Sequence, residues 1–514
     1  MRGRRGLTAG VPASRILKTA AALVLAFGLA GAAVAPAAWQ PAAPGVQAPP
    51  VPALPAEAVR EDLRHLYETL AAGHYDLFVY RSRTDYDAAF ERALAAVRAP
   101  VPRREAAALF QRLLALGRVG HARTEAPLQE FVGHLGRDGT LLPIFIRVDG
   151  DRVLVTRTAD LAGRVGPGAE LLALEGRPVS DWLERLGGLV SAERPYMVHA
   201  QMEESFPALL WLELGEREGV DATFRGADGR SFEARIPAVT RAGLREIGLR
   251  HPTPRLGTDF ASREVRLLSA GVAYLRPGPF MNIGAPAAGP EPSYEDSEYR
   301  TFLDGAFEAI LAAGASDLLI DLRNNPGGDN SFSDAMVAWF ADRPFRFASS
   351  FTLRASAPTK AWYRRRAEAA PVDGMLARLM AAEARQPDGV RYPFEIPMVE
   401  PRKGPRFEGR VWVLVNRHSY SNSASVAALI QDYGFGVVLG EETADVPTSH
   451  ASTVHFTLPN SGYSVAYPKS YFVRPSGDRA VRGVIPQVPL PREPIGVAAD
   501  VTLDTALAHI RGRR

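Results

Sequence analysis

The sequence contains no cysteine, which excludes disulfides, thiolate-bound metal and a lipid anchor attached through an N-terminal cysteine. It also lacks a His-Glu-x-x-His motif, and its ten histidines are scattered, so no metal and no other cofactor is expected. Neither sign of charge dominates: 60 basic against 57 acidic residues leave a formal +3. No basic stripe with interleaved aromatics appears, so nucleic acid is not an expected partner. A chain of 514 residues is long enough for two or three domains and for a core that needs no disulfides. Long apolar runs are missing too, with one exception near the start. There MRGRRGLTAGVPASRILK is basic, TAAALVLAFGLAGAAVA is apolar but short for a membrane span, and small residues follow. This reads as a signal peptide over residues 1–37, cleaved near Ala33 or Ala37. The expected location is periplasmic or secreted, with contact to a membrane only if the leader stays uncleaved as an anchor.

The rest of the chain changes character in blocks. Residues 38–55 are rich in proline and alanine and read as an extended linker. Residues 56–130 carry helical apolar spacing in three or four segments, the last of them RREAAALFQRLLALG, which runs into Gly120-His121-Ala122-Arg123-Thr124. Residues 140–240 turn to alternation, with a hairpin signal at Asp149-Gly150-Asp151 and a glycine-rich turn before ELLALEGRPV. From 268 to 492 strands alternate with helices, interrupted by an insertion at 355–404, which predicts an α/β core with largely parallel pairing. The insertion is basic, aromatic and partly helical; it reads either as a cap on a cleft or as a solvated excursion. Residues 493–514 form a helical tail. The fold class expected is multidomain α+β.

Two strand-loop-helix units in the last large block carry the chemistry. In VWVLVNRHSYSNSASVAALIQDYG an apolar strand turns into a helix that ends on glycine. That places Ser421 at the turn, beside N–H groups that a helix start leaves without partners. Ser419, Ser421 and Ser423 also suit a plain N-cap and turn role. In DLLIDLRNNPGGDNSF the strand is followed by Gly327 and Gly328, which allow close backbone approach or serve as an ordinary loop. A hydroxyl nucleophile and amide donors facing one carbonyl are what acyl transfer requires.

DLRNNPGG, LVNRHSYSNSA, GEET and GVIPQV, in that order, resemble the tail-specific or C-terminal processing serine peptidases of family S41, a superfamily that also holds the tricorn core protease and the domains of interphotoreceptor retinoid-binding protein. The resemblance is strong from about Val272 to Leu490 and weak near the N-terminus. It implies Ser421 as nucleophile and an oxyanion hole from the backbone N–H of Asn422 and of Gly327 or Gly328. It also implies a crotonase-like catalytic domain over 268–492, a PDZ-like domain over 140–240, and a helical module over 56–130 that brings a base across the cleft. The substrate implied is a peptide or an unfolded protein.

The processing branch of that family uses lysine as base, in a slot that here holds Val446. This chain has only four lysines, Lys18, Lys360, Lys403 and Lys469, none of them in the slot. The tricorn-like branch uses histidine, and the segment around His121 resembles its D-G-H-T sequence, so His121 is the expected general base. His418 and His450, which flank the loops, are the runners-up. Two departures stand out. Gly120 precedes the histidine where tricorn has a hydroxyl, and SGDRAVRGVIPQV has Ala480 near the position of the family's orienting glutamate. Asp478, Glu441 and Glu442 are the candidates for that orienting role. The reading is a serine-type peptidase; the alternative is a non-catalytic peptide- or ligand-binding protein on the same scaffold.

Overall fold

The structure, a computed structural model, describes residues 52–513 apart from 160–162, 251–262, 269–270, 284–294, 370, 371 and 373. The leader over 1–37 and the linker up to residue 51 lie outside the described residues. Among the described residues no helix is long and apolar enough to cross a membrane.

The α/β block is built on a six-stranded sheet in the order Val488–Pro489, Val437–Gly440, Arg410–Val415, Asp317–Asp321, Val272–Arg276 and Glu264–Leu268. All neighbours pair in parallel except the last two. Its central strands are continuous apolar runs because both faces are covered. Helices Ser297–Ala312, Asn330–Val337 and Asn422–Tyr433 bury Phe307, Met336 and Leu429 on one face. The C-terminal helix Val501–Gly512 packs Leu503, Leu507 and Ile510 against Trp412 and Leu414 on the other. Arg323 of the DLR segment is buried and pairs with Asp321 and with Asp500, the N-cap of that last helix. Its task is therefore to tie the sheet to its rear layer.

Parallel register decides where the two loops fall. Leu318 to Asp321 lie opposite Val411 to Leu414, so both loops leave adjacent strands at the same end of the sheet, where α/β proteins place their sites. Hydrogen bonds then staple them: Asn416 Nδ2 donates to Asn324 Oδ1 at 2.7 Å, and Tyr420 N–H to the Asn325 carbonyl at 2.9 Å.

Ser350–Arg354 falls within the block whose pairing is expected to be largely parallel, but lies outside this sheet. That strand pairs antiparallel with Ser464–Val473 in a second sheet, which also holds Ser449–Thr457 and Arg391–Pro393. A third, antiparallel sheet is ordered Phe145–Asp149, Arg152–Arg157, Glu170–Leu174, Gly219–Arg225, Ser231–Pro237, and its first hairpin turns at Gly150 with φ 60°. The insertion is no solvated excursion throughout. Its helix Ala357–Ala369 buries Trp362 and Tyr363 in the same core as Leu63 and Leu66 of the first helix, Ala56–Gly73.

Candidate active site

Residues far apart in sequence meet here through one short strand. After helix Arg103–Ala115 the chain passes Gly120-His121 and forms the two-residue strand Arg123–Thr124, which adds to the edge of Ser464–Val473 with Arg123 opposite Ala466. Thr124 Oγ1 and the Glu125 N–H both donate to the Ser464 carbonyl, at 2.9 Å each. The helical module is thus fastened to the second sheet directly beyond His121. The His121 Nε2 atom stands 3.1 Å from Ser421 Oγ.

Ser421 sits at φ 54°, ψ −123°, a conformation that is costly for a residue with a Cβ. The turn separates the three serines: Ser421 is half-buried, while Ser419 and Ser423 are buried. Ser419 Oγ donates to the Leu322 carbonyl, which is a loop-stapling role. Asp445 Oδ2 accepts the Ser421 N–H at 2.5 Å, and its Oδ1 accepts the N–H of Val446. Burial raises the Asp445 carboxyl to about 6.

The Gly-Gly loop backs directly onto the serine. A Cβ on Gly327 would lie 2.6 Å from the Asn422 nitrogen and 2.8 Å from Ser421 Cβ, and one on Gly328 would lie 2.1 Å from the Phe280 carbonyl oxygen. Only glycine fits either place, at φ 89° and 131°. The two amides differ in what they can do. Gly327 N–H is taken by Asn325 Oδ1 at 2.9 Å, whereas no acceptor among the described residues pairs with the N–H of Gly328 or of Asn422. Of these three amides, those left without an acceptor are therefore Asn422 and Gly328. Gly328→Ala should move this loop off Phe280 and lower turnover on the order of 10²- to 10³-fold, the usual cost of one oxyanion donor. Steady-state kinetics with unchanged far-UV circular dichroism is the check.

The His121 ring is buried and stacks on Tyr420, with centroids 5.5 Å apart and planes at 29°. The Tyr420 hydroxyl donates to the Gly120 carbonyl at 3.0 Å, and Gly120 N–H donates to Glu193 Oε1 at 3.0 Å. Both peptide groups around Gly120 are thus held. A Cβ at Gly120 would lie 2.5 Å from Met197 Cε, the end of a flexible side chain, and 3.0 Å from Glu193 Oε2. Burial first, and the Arg123 guanidinium second, hold the imidazole down to about 4. Nδ1 makes no hydrogen bond of full geometry; the backbone of His450 is the hydrogen-bonding group that acts on the ring, raising its pKa as an acceptor does.

None of the three expected orienting carboxylates reaches His121. Asp478 is bound to Arg482 and the Ala480 N–H, Glu441 to Arg417, Arg492 and Tyr196, and Glu442 to Arg194 and the Gly483 N–H. His418 lies between Glu203 and Glu204, whose charges outweigh burial and raise its pKa. The His450 ring packs against Tyr75 and Tyr471. Lys469 binds Ser452, not Ser421. Two buried carboxylates went unnoticed in the sequence, Glu193 and Asp445. Asp445 borders the slot held by Val446; Glu193, in SAERP, has no motif to announce it.

Residues 292–490, which include the serine turn and the glycine loop, match the model of peptidase family S41. They form a peptidase family S41 domain, and members of that family are serine-type peptidases. The whole fold has counterparts as well. The chain is similar to mature CPAF complexed with lactacystin at 15% identity, over 89% of this chain and 97% of that one, with a TM-score of 0.55. Mature CPAF alone gives 16% identity, 85% and 93% coverage and a TM-score of 0.55. At such identity the likeness is one of fold. No curated protein matches the chain in sequence.

Proposed function

We propose that this S41 enzyme is an exported serine-type peptidase that cleaves peptides or unfolded protein through an acyl-enzyme on Ser421, with His121 as general base. The observation that carries the reading is the 3.1 Å approach of His121 Nε2 to the half-buried Ser421 Oγ. The Nε2 lone pair takes the hydroxyl proton as Oγ bonds to the substrate carbonyl carbon. The oxygen that gains charge falls to the N–H groups of Asn422 and Gly328. Proton return to the amine breaks the C–N bond, and water repeats the sequence on the ester.

Further parts of the proposal rest on other features. Export rests on the leader. A crotonase-like catalytic unit fits the parallel sheet with loops at one end. A PDZ-like role for the third sheet fits its antiparallel order with strand Ser231–Pro237 at one edge, where a peptide adds as one more strand. That Nδ1 of His121 meets the His450 backbone and no carboxylate favours the second reading, a binding protein on the same scaffold, because an imidazolium there lacks a charged partner.

The pH profile tests the proposal. A base must be unprotonated, and an imidazole held near 4 stays neutral well below the ordinary value of about 6.5. Hydrolysis of an unfolded protein substrate should therefore persist through pH 6 and fall only as pH drops toward 4. A fall centred at 6.5 assigns the base to a solvated histidine.

A further inference from the structure

One segment without a family motif touches both halves of the site. Ala192, Glu193 and Arg194 lie just before helix Pro195–Leu214. Glu193 Oε1 accepts the Gly120 N–H, one residue before His121. Arg194 reaches the other way, donating to the carbonyls of Thr443 and Ala444 at 2.6 and 3.2 Å and pairing with Glu442. The residue after Ala444 is Asp445, which holds the Ser421 N–H. Arg118 Nη2 closes the bracket by donating to the Glu193 carbonyl at 3.2 Å.

We infer that Glu193 is a positioning residue for the serine–histidine pair: as a neutral carboxyl it holds the His121 segment in register with the nucleophile turn. The inference rests on the serine–histidine reading above and replaces the orienting carboxylate that Asp478, Glu441 and Glu442 do not supply. Glu193 is buried, and its second oxygen, Oε2, has no hydrogen-bond partner. That oxygen faces the site where a Gly120 Cβ would stand, 3.0 Å away. A charge with an unpaired oxygen in such a place is costly, so the carboxyl keeps its proton. Burial, and next the Asp445 charge, push it up to about 8, against smaller opposite effects from the Gly120 N–H and Arg194. The other charged or titratable groups facing it are Arg118, Tyr80 and Tyr420. Raising pH through 8 removes the proton and adds a second buried negative charge that the Asp445 charge opposes. Activity is thus retained below that value and lost above it.

The test uses the full chain with two variants, Glu193→Gln and Glu193→Leu, read by kcat, KM and the rate of fluorophosphonate labelling of Ser421 from pH 5 to 10. Glu193→Leu, which removes the acceptor for Gly120, should lower kcat and labelling on the order of 10²-fold, the effect of a misplaced reacting group, while KM stays near wild type. Glu193→Gln keeps an acceptor oxygen, so most of kcat should return, and the alkaline limb near pH 8 should be gone. Wild-type turnover in Glu193→Leu, or an alkaline limb that persists in Glu193→Gln, overturns the assignment. Should Glu193→Leu not fold, the limb in Glu193→Gln decides alone. Failure of the underlying reading looks different: the wild type itself then goes unlabelled at Ser421, and the positioning role falls with it.

Discussion

Ser421→Ala is expected to abolish covalent labelling and to reduce peptide hydrolysis on the order of 10⁶-fold, the scale seen when a serine nucleophile is removed from a preorganised site. The size follows from the geometry. Of the three serines in the turn only Ser421 is not fully buried, and only its Oγ meets His121 Nε2. The fold should be untouched, because the Ser421 side chain caps no helix N–H and its strained φ of 54° is imposed by the surrounding loops, not by the hydroxyl. Gel filtration and thermal unfolding alongside the assay check that. Retained hydrolysis in Ser421→Ala assigns the chemistry to another group.

His121→Ala should cost on the order of 10⁴-fold or more in kcat with KM close to wild type, since the imidazole moves the proton but does not hold the substrate. The ring also stacks on Tyr420 and fills buried space, so the alanine variant alone mixes chemistry with packing. His121→Asn, which fills most of that space without a basic nitrogen, separates the two. Both variants should be equally slow. Partial activity in His121→Asn makes the residue a spacer.

What the sequence discloses and what it hides divide along locality. The turn at Ser421 and the glycine loop were legible because strand, turn and helix signals are short-range, and because glycine is demanded wherever a Cβ would strike backbone, as at Gly328. That the two loops share one end of the sheet follows from parallel pairing, which alternating strands and helices already imply. Partners set by tertiary packing were not legible. Ser350–Arg354 reads as one more strand of the same block, yet its pairing with Ser464–Val473 is a long-range choice that periodicity does not encode. Asp478, Glu441 and Glu442 were near the right motifs in sequence, but arginines at 482, 417, 492 and 194 hold all three elsewhere. Glu193 arrives from another part of the chain, and its importance rests on a single backbone N–H. His121 was singled out through family likeness; its approach to Ser421 depends on two residues, Arg123 and Thr124, joining the edge of a sheet.

The central claim is that Ser421 is an activated nucleophile, and peptide mapping of the protein after reaction with a fluorophosphonate tests it most directly. One adduct is expected, on Ser421, with a rate of formation that falls by orders of magnitude in His121→Ala and His121→Asn. An adduct on Ser419, Ser423 or Ser452, or labelling of Ser421 at the same rate without the imidazole, would contradict it.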